Sequence, residues 1–223
     1  MAKIKITHFS DILCVWAYIS EIRIDQLHAD FGDRIELDFR LFPVFGNVKG
    51  KMETQWQDRG GIAAYSQHVT SVASQFTHLK INPKVWLHNP PTSSLPSHLY
   101  LSAIRIAEQA EVIDQGAFLR FKKLLRSAFF AELKDISNTD VLNELVAQMN
   151  LPKALIQEKI NSGEAFAALA EDMQLAKELA VSSSPTLIFN ENRQRLTGNV
   201  GYRIIEANVR ELLESPVNQQ SWC

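Results

Sequence analysis

Ile4, Ile6 and His8 share one side of an alternating run from Lys3 to Phe9, with Lys5 and Thr7 on the other. A period of two predicts a strand, because successive side chains point to opposite faces. Past Cys14 the period lengthens. Val15, Tyr18, Ile19 and Ile22 recur at helical spacing, and Gly32 supplies a stop. Alternation returns in RIELDFRLF, where Ile35, Leu37, Phe39 and Leu41 share a face. Strand, helix and strand within about forty residues predict a βαβ unit with a parallel pair and a right-handed crossover.

Between Pro43 and Asn89, GNVKGK and DRGG break the pattern, which predicts loop and then a helix from Ile62 to about Phe76. NPPTSSLP marks a boundary. Beyond it, helical spacing predicts Pro96–Ala110, Asp114–Ala131, Thr139–Met149, Pro152–Asn161 and Glu164–Ala180. Phe118, Phe121, Leu125 and Phe129 form an apolar stripe that reads as core. Thr139 is a candidate N-cap, and Pro152 suits a first helical turn. The short apolar run Thr186–Phe189 reads as a strand, NEN as a turn and RQRLTG as a second strand. Asn199 then stands as the cap of a last helix, Val200–Leu213. No internal repeat or low-complexity segment occurs.

Two β motifs that must share one sheet, separated by helices, predict a discontinuous α/β domain with an all-helical insertion. The expected division is 1–48 with 181–223 for the α/β domain, and 49–180 for the insertion. Insertions are tolerated where chain ends lie close together at a surface.

Composition narrows the class. Hydrophobic residues make up 46% of the 223-residue chain and charged residues 22%, which suits a soluble globular protein. A formal charge of -2 argues against nucleic acid as a partner, since such proteins carry a basic face. No apolar stretch suffices to span a bilayer, so a membrane role is not expected. A strand beginning at Lys3 leaves no place for a secretory signal, and the expected compartment is the cytoplasm. Two cysteines make no disulfide scaffold.

Candidate chemistry centres on Cys14, at the strand-to-helix junction of the βαβ unit, where ligands bind in parallel sheets. A helix N-terminus favours negative charge. A free thiol titrates near ~8.5, but values of about 3.5–7.5 occur at helix N-termini or beside cations. Asp11, three residues upstream, opposes such activation. The alternative is a small buried hydrophobe, a common fate of free cysteine. Pro185, at the start of the third strand, needs no N–H there; its bond to Ser184 can be an ordinary trans one or a cis bond that exposes the Ser184 backbone.

DILCVWAYISEIRIDQL resembles the active-site strand and helix of the DsbA-like thioredoxin-fold family, especially its FrnE-type branch, with its Asp, two apolar residues and Cys-Pro-Trp-Cys. SSSPTLIFNENRQRLTG resembles the family's cis-proline loop and terminal ββα unit. NPPTSSLPSHLYLSAIRIA is similar to the start of its inserted helical domain. The resemblance covers essentially the whole chain. It implies that Cys14 is the nucleophilic cysteine, Trp16 the aromatic rim, and Pro185 a cis-proline facing the sulfur. The Ser184 backbone would pair with a bound peptide or with glutathione. Val15 and Ala17 depart from the motif, and Ala17 removes the resolving sulfur. What the resemblance then implies is monothiol, glutathione-linked disulfide exchange, with glutathione or another small thiol or disulfide as co-substrate. The same fold hosts kappa-class glutathione transferases and 2-hydroxychromene-2-carboxylate isomerases. That implies a second reading, in which Cys14 or the helix N-terminus steadies a glutathione thiolate and Asn199 meets its glutamyl end. A third is a non-catalytic peptide-binding module. Subunit number stays open, and a dimer is compatible with the sequence.

The last residue, Cys223, ends a polar tail whose final eight residues reach at most roughly 27 Å, which makes it a candidate resolving thiol for Cys14. GNVKGKM falls one residue short of a phosphate loop and has Met52 where a hydroxyl belongs. The six scattered histidines offer no metal-ligand spacing, and no metal is expected. His98 reads as a surface helix residue or as one facing the cleft. His8 reads as a hydrogen-bonded core histidine, and Trp86 as a pocket wall or a core aromatic.

Overall fold

A computed structural model describes residues 3–88, 90–190 and 192–214. Strands β1 (Ile4–Ser10) and β2 (Ile35–Leu41) pair in parallel, Ile4 opposite Ile35 and Ser10 opposite Leu41. Strand β3 (Thr186–Phe189) runs antiparallel to β1, and β4 (Gln194–Thr197) antiparallel to β3, giving the order β2-β1-β3-β4. The front βαβ and the rear ββα thus share one mixed sheet, as their spacing predicts.

The helix expected after Cys14 is two: α1 (Val15–Ile19) and α2 (Glu21–Phe31). Ser20 sits at the joint, its hydroxyl donating to the Ala17 carbonyl at 3.0 Å. A serine bonding back onto its own helix competes with the backbone ladder and favours a break. Gly32 closes α2 with φ 47°, a conformation open to glycine.

Helices α3 (Val48–Gln55), α4 (Gly61–Ala73), α5 (Leu95–Gln109), α6 (Ala117–Phe130), α7 (Thr139–Gln148), α8 (Lys153–Asn161) and α9 (Glu164–Glu178) fill the segment between β2 and β3; α10 (Tyr202–Glu214) ends the described chain. Helix α3 replaces an expected loop. Its two interior and flanking glycines masked it, yet Asn47 caps it by accepting from Gly50 N at 2.9 Å, and Val48 and Met52 bury one turn apart. Asn138, not Thr139, caps α7, its side chain accepting from Asp140 N at 2.8 Å. Pro152 precedes α8 rather than opening it. Asn199 is no cap either, because α10 starts three residues later.

One apolar cluster runs from Leu13, Ala17 and Ile19 into Val69, Trp86 and the predicted α6 stripe, so the junction that carries Cys14 is continuous with the helical core. A second, with Ile6, Leu27, Phe189 and Val209, fills the space between the sheet, α2 and α10. Each fully buried Leu, Ile or Phe contributes about 1.5–3 kcal/mol. No described helix is long and apolar enough to cross a membrane.

Candidate functional site

Sheet register builds the site. Phe9 lies opposite Thr186, so the chain leaving β1 and the chain entering β3 must face each other. That brings Asp11 to Cys14 against Ser183 to Pro185. The Ser184–Pro185 bond is cis. Cys14 Sγ donates to the Ser184 carbonyl at 3.2 Å, and Asp11 N donates to Ser184 Oγ at 2.9 Å. Cys14 N donates to the Asp11 carbonyl at 3.2 Å, which tightens the turn into α1.

The electrostatics differ from those of an open helix terminus. Cys14 is only 6% exposed. Burial pushes its thiol up from the ordinary value. The Ser184 hydroxyl and the N–H groups of Ala17 and Trp16 pull it down by less, and the Asp11 carboxylate pushes it up further. With only five residues in α1, the peptide dipoles do not offset desolvation. The resting sulfur is a thiol that donates a proton, not a thiolate.

Asp11 is fully buried. Its Oδ1 accepts from Leu13 N at 2.8 Å; its Oδ2 accepts from Phe45 N at 2.8 Å and from Ser94 Oγ at 2.9 Å. His98 is buried too, not on the surface. Its Nε2 accepts from Ile12 N at 3.2 Å and lies 3.8 Å from Asp11 Oδ1. Accepting through Nε2 fixes the proton on Nδ1, and burial lowers the His98 pKa, so the ring is neutral. The spacing of Ser94 and His98, one helical turn apart and past the NPP boundary, is the sequence signal for this cluster.

The remaining candidates scatter. Trp16 is half-buried against the main cluster, and Ala17 is fully buried where a second sulfur would stand. Asn199 is exposed, and its side-chain oxygen accepts from Arg23. Cys223 lies outside the described residues. Trp86 is a core aromatic packed on Phe45, Tyr65 and Phe129. His8 is buried, but neither ring nitrogen has a hydrogen-bond partner. Burial, then Lys122 and Arg126, hold it neutral. It borders a cavity of ≈10 Å³ behind Pro185. No group of three or more His, Cys, Asp or Glu able to hold a metal occurs among the described residues.

A family model described as thioredoxin matches residues 8–207. The chain is 26% identical over 218 residues to the ClpXP adapter protein SpxH of Halalkalibacterium halodurans, covering 94% of this chain and 68% of that protein. Its structure is similar to a probable DsbA oxidoreductase of Streptomyces coelicolor, with a TM-score of 0.72, 15% identity, and 98% and 93% of the two chains covered. It is also similar to the cytosolic disulfide reductase DsbM of Pseudomonas aeruginosa with GSH, with a TM-score of 0.65, 17% identity, and 92% and 99% covered.

Proposed function

The chain belongs to the thioredoxin family, and we propose that it serves as a single-thiol binding module, holding a protein or peptide partner against the Ser184–Pro185 loop. Its fold is that of DsbA-like oxidoreductases, a thioredoxin-like α/β domain with inserted helices. One observation carries the binding reading. The Cys14 sulfur is sealed, directs its proton to the Ser184 carbonyl, and has buried Ala17 where a dithiol couple needs its second sulfur. A thiol is a poor nucleophile next to a thiolate. The adapter role named for the SpxH relative supports a protein as the partner.

The second reading is monothiol, glutathione-linked exchange. It is favoured by the contact between Sγ and the Ser184 carbonyl and by the likeness to DsbM with GSH. In it the Cys14 thiolate attacks a disulfide, one partner leaves as a thiolate, and glutathione later releases the mixed disulfide. The transferase or isomerase reading has less support, because the proposed glutamyl contact, Asn199, already holds Arg23.

The two leading readings separate in one assay. The Cys223→Ser protein is incubated with oxidised glutathione and with a small disulfide plus glutathione. The binding module gives no Cys14 adduct within an hour and no turnover above the uncatalysed rate. A stable adduct with turnover replaces it by the exchange reading.

A further inference from the structure

The carboxylate of Asp11 is central to the site, yet no step above uses it. We propose that Asp11 is the positioning residue of this site: it fastens the Cys14 turn to the segments that enter and leave the helical insertion, and its buried charge in that turn adds to burial in disfavouring an ionised sulfur. The proposal rests on the reading of Cys14 as a sealed resting thiol and extends it to what keeps the thiol at rest.

The geometry is unusual for a carboxylate. Besides its own turn, three separate stretches of chain converge on one residue. Leu13 belongs to the Cys14 turn, Phe45 to the chain leaving β2, Ser94 to the start of α5 and Ser184 to the loop before β3. The Phe45 and Ser94 stretches are also joined, Ser94 N donating to the Phe45 carbonyl at 3.0 Å. The carboxylate is therefore held wholly by two backbone N–H groups and a hydroxyl. Among the described residues the only cationisable group recorded within ion-pair distance is His98, which is neutral because its Nε2 accepts from Ile12. A buried carboxylate held by neutral donors keeps its full field on its neighbours. The titratable groups that face it are Cys14 at the start of α1, Tyr65 of α4 and His98 of α5. Burial, with the Asp11 charge, holds the Tyr65 hydroxyl protonated. The Cys14 sulfur is thus the group whose ionisation Asp11 opposes at neutral pH.

The test compares Asp11→Asn with the parent protein, both carrying Cys223→Ser, by iodoacetamide alkylation of Cys14 across pH. Removing a charge beside a thiol lowers the midpoint and raises the rate at pH 7 by roughly three- to tenfold. A loosened structure that exposes the sulfur also lowers the midpoint, by relieving burial, but it raises the limiting rate at high pH as well, which removal of the charge alone does not. That outcome, or an unchanged profile in a folded variant, overturns the proposal. Should Asp11→Asn fail to fold, Ser94→Ala decides. It keeps the charge and removes one donor, so alkylation at pH 7 slows; an equal or faster rate overturns the proposal. A parent protein that alkylates fast with a midpoint below about 7 instead sinks the sealed-thiol reading, while the difference between parent and variant still judges Asp11.

Discussion

Two buried aspartates join the sheet to the helices, and they are built in opposite ways. Asp172 of α9 is met by cations: Arg40 of β2 at 3.0 Å and Arg105 of α5 at 2.9 Å, with Leu41 N donating at 2.9 Å. Asp11 is met by two N–H groups and a hydroxyl, beside a thiol. The first is a neutralised structural tie. The second leaves its charge acting on its surroundings, a costly arrangement for stability alone. Its place in the Cys14 turn is why our proposal puts the functional centre at Asp11 and not at Asp172.

The comparison breaks most sharply at Asp172. Asp172→Asn leaves two arginines without their shared acceptor and costs about 3–5 kcal/mol, as for other broken buried pairs. Urea denaturation measures it, and Cys14 alkylation in the surviving folded protein stays unchanged. Ser184→Ala strikes the other centre. It strands the Asp11 N–H in a buried site and costs about 1–3 kcal/mol by the same denaturation. The thiol keeps its backbone acceptor but loses the hydroxyl that pulls its pKa down, so its alkylation midpoint moves up.

A third buried pair sharpens the contrast through pH. Glu21 of α2 bonds Arg126 at 2.9 Å and lies 3.4 Å from Lys122, both on α6. Burial, then Arg126, pull the Lys122 pKa down to about 8 from the ordinary 10.5. Between those values the unfolded chain binds more protons than the folded one, so stability rises with pH. Below the lower value the penalty is present in full. Lys122→Met removes this contribution. Denaturation free energies at pH 8 and pH 10 should differ less in Lys122→Met than in the parent; an equal difference would show that Lys122 is not desolvated.

The β elements were legible because period-two runs such as Ile35 to Leu41 have no helical alternative, and the α6 stripe because four aromatic or aliphatic residues at helical spacing can only be a buried face. Helix α3 was hidden, since glycines at 46 and 50 outweigh an Asn cap in any local reading. At the site, sequence order brought out Cys14, Ser184 and Pro185. It left a buried Cys14 as the alternative but could not weigh desolvation against the short α1 helix, because burial is a property of the packed chain. His98 was misplaced at the surface for the same reason. Its helix is amphipathic, and only the tertiary position of Asp11 shows which side carries the buried polar contacts.

The central claim is that the Cys14 sulfur rests as a sealed thiol. The alkylation profile of the Cys223→Ser protein tests it most directly, since Cys14 is then the sole sulfhydryl. The account predicts slow reaction with a midpoint above that of an ordinary thiol, about 8.5. A fast reaction with a midpoint below about 7 would contradict it and show an activated thiolate in its place.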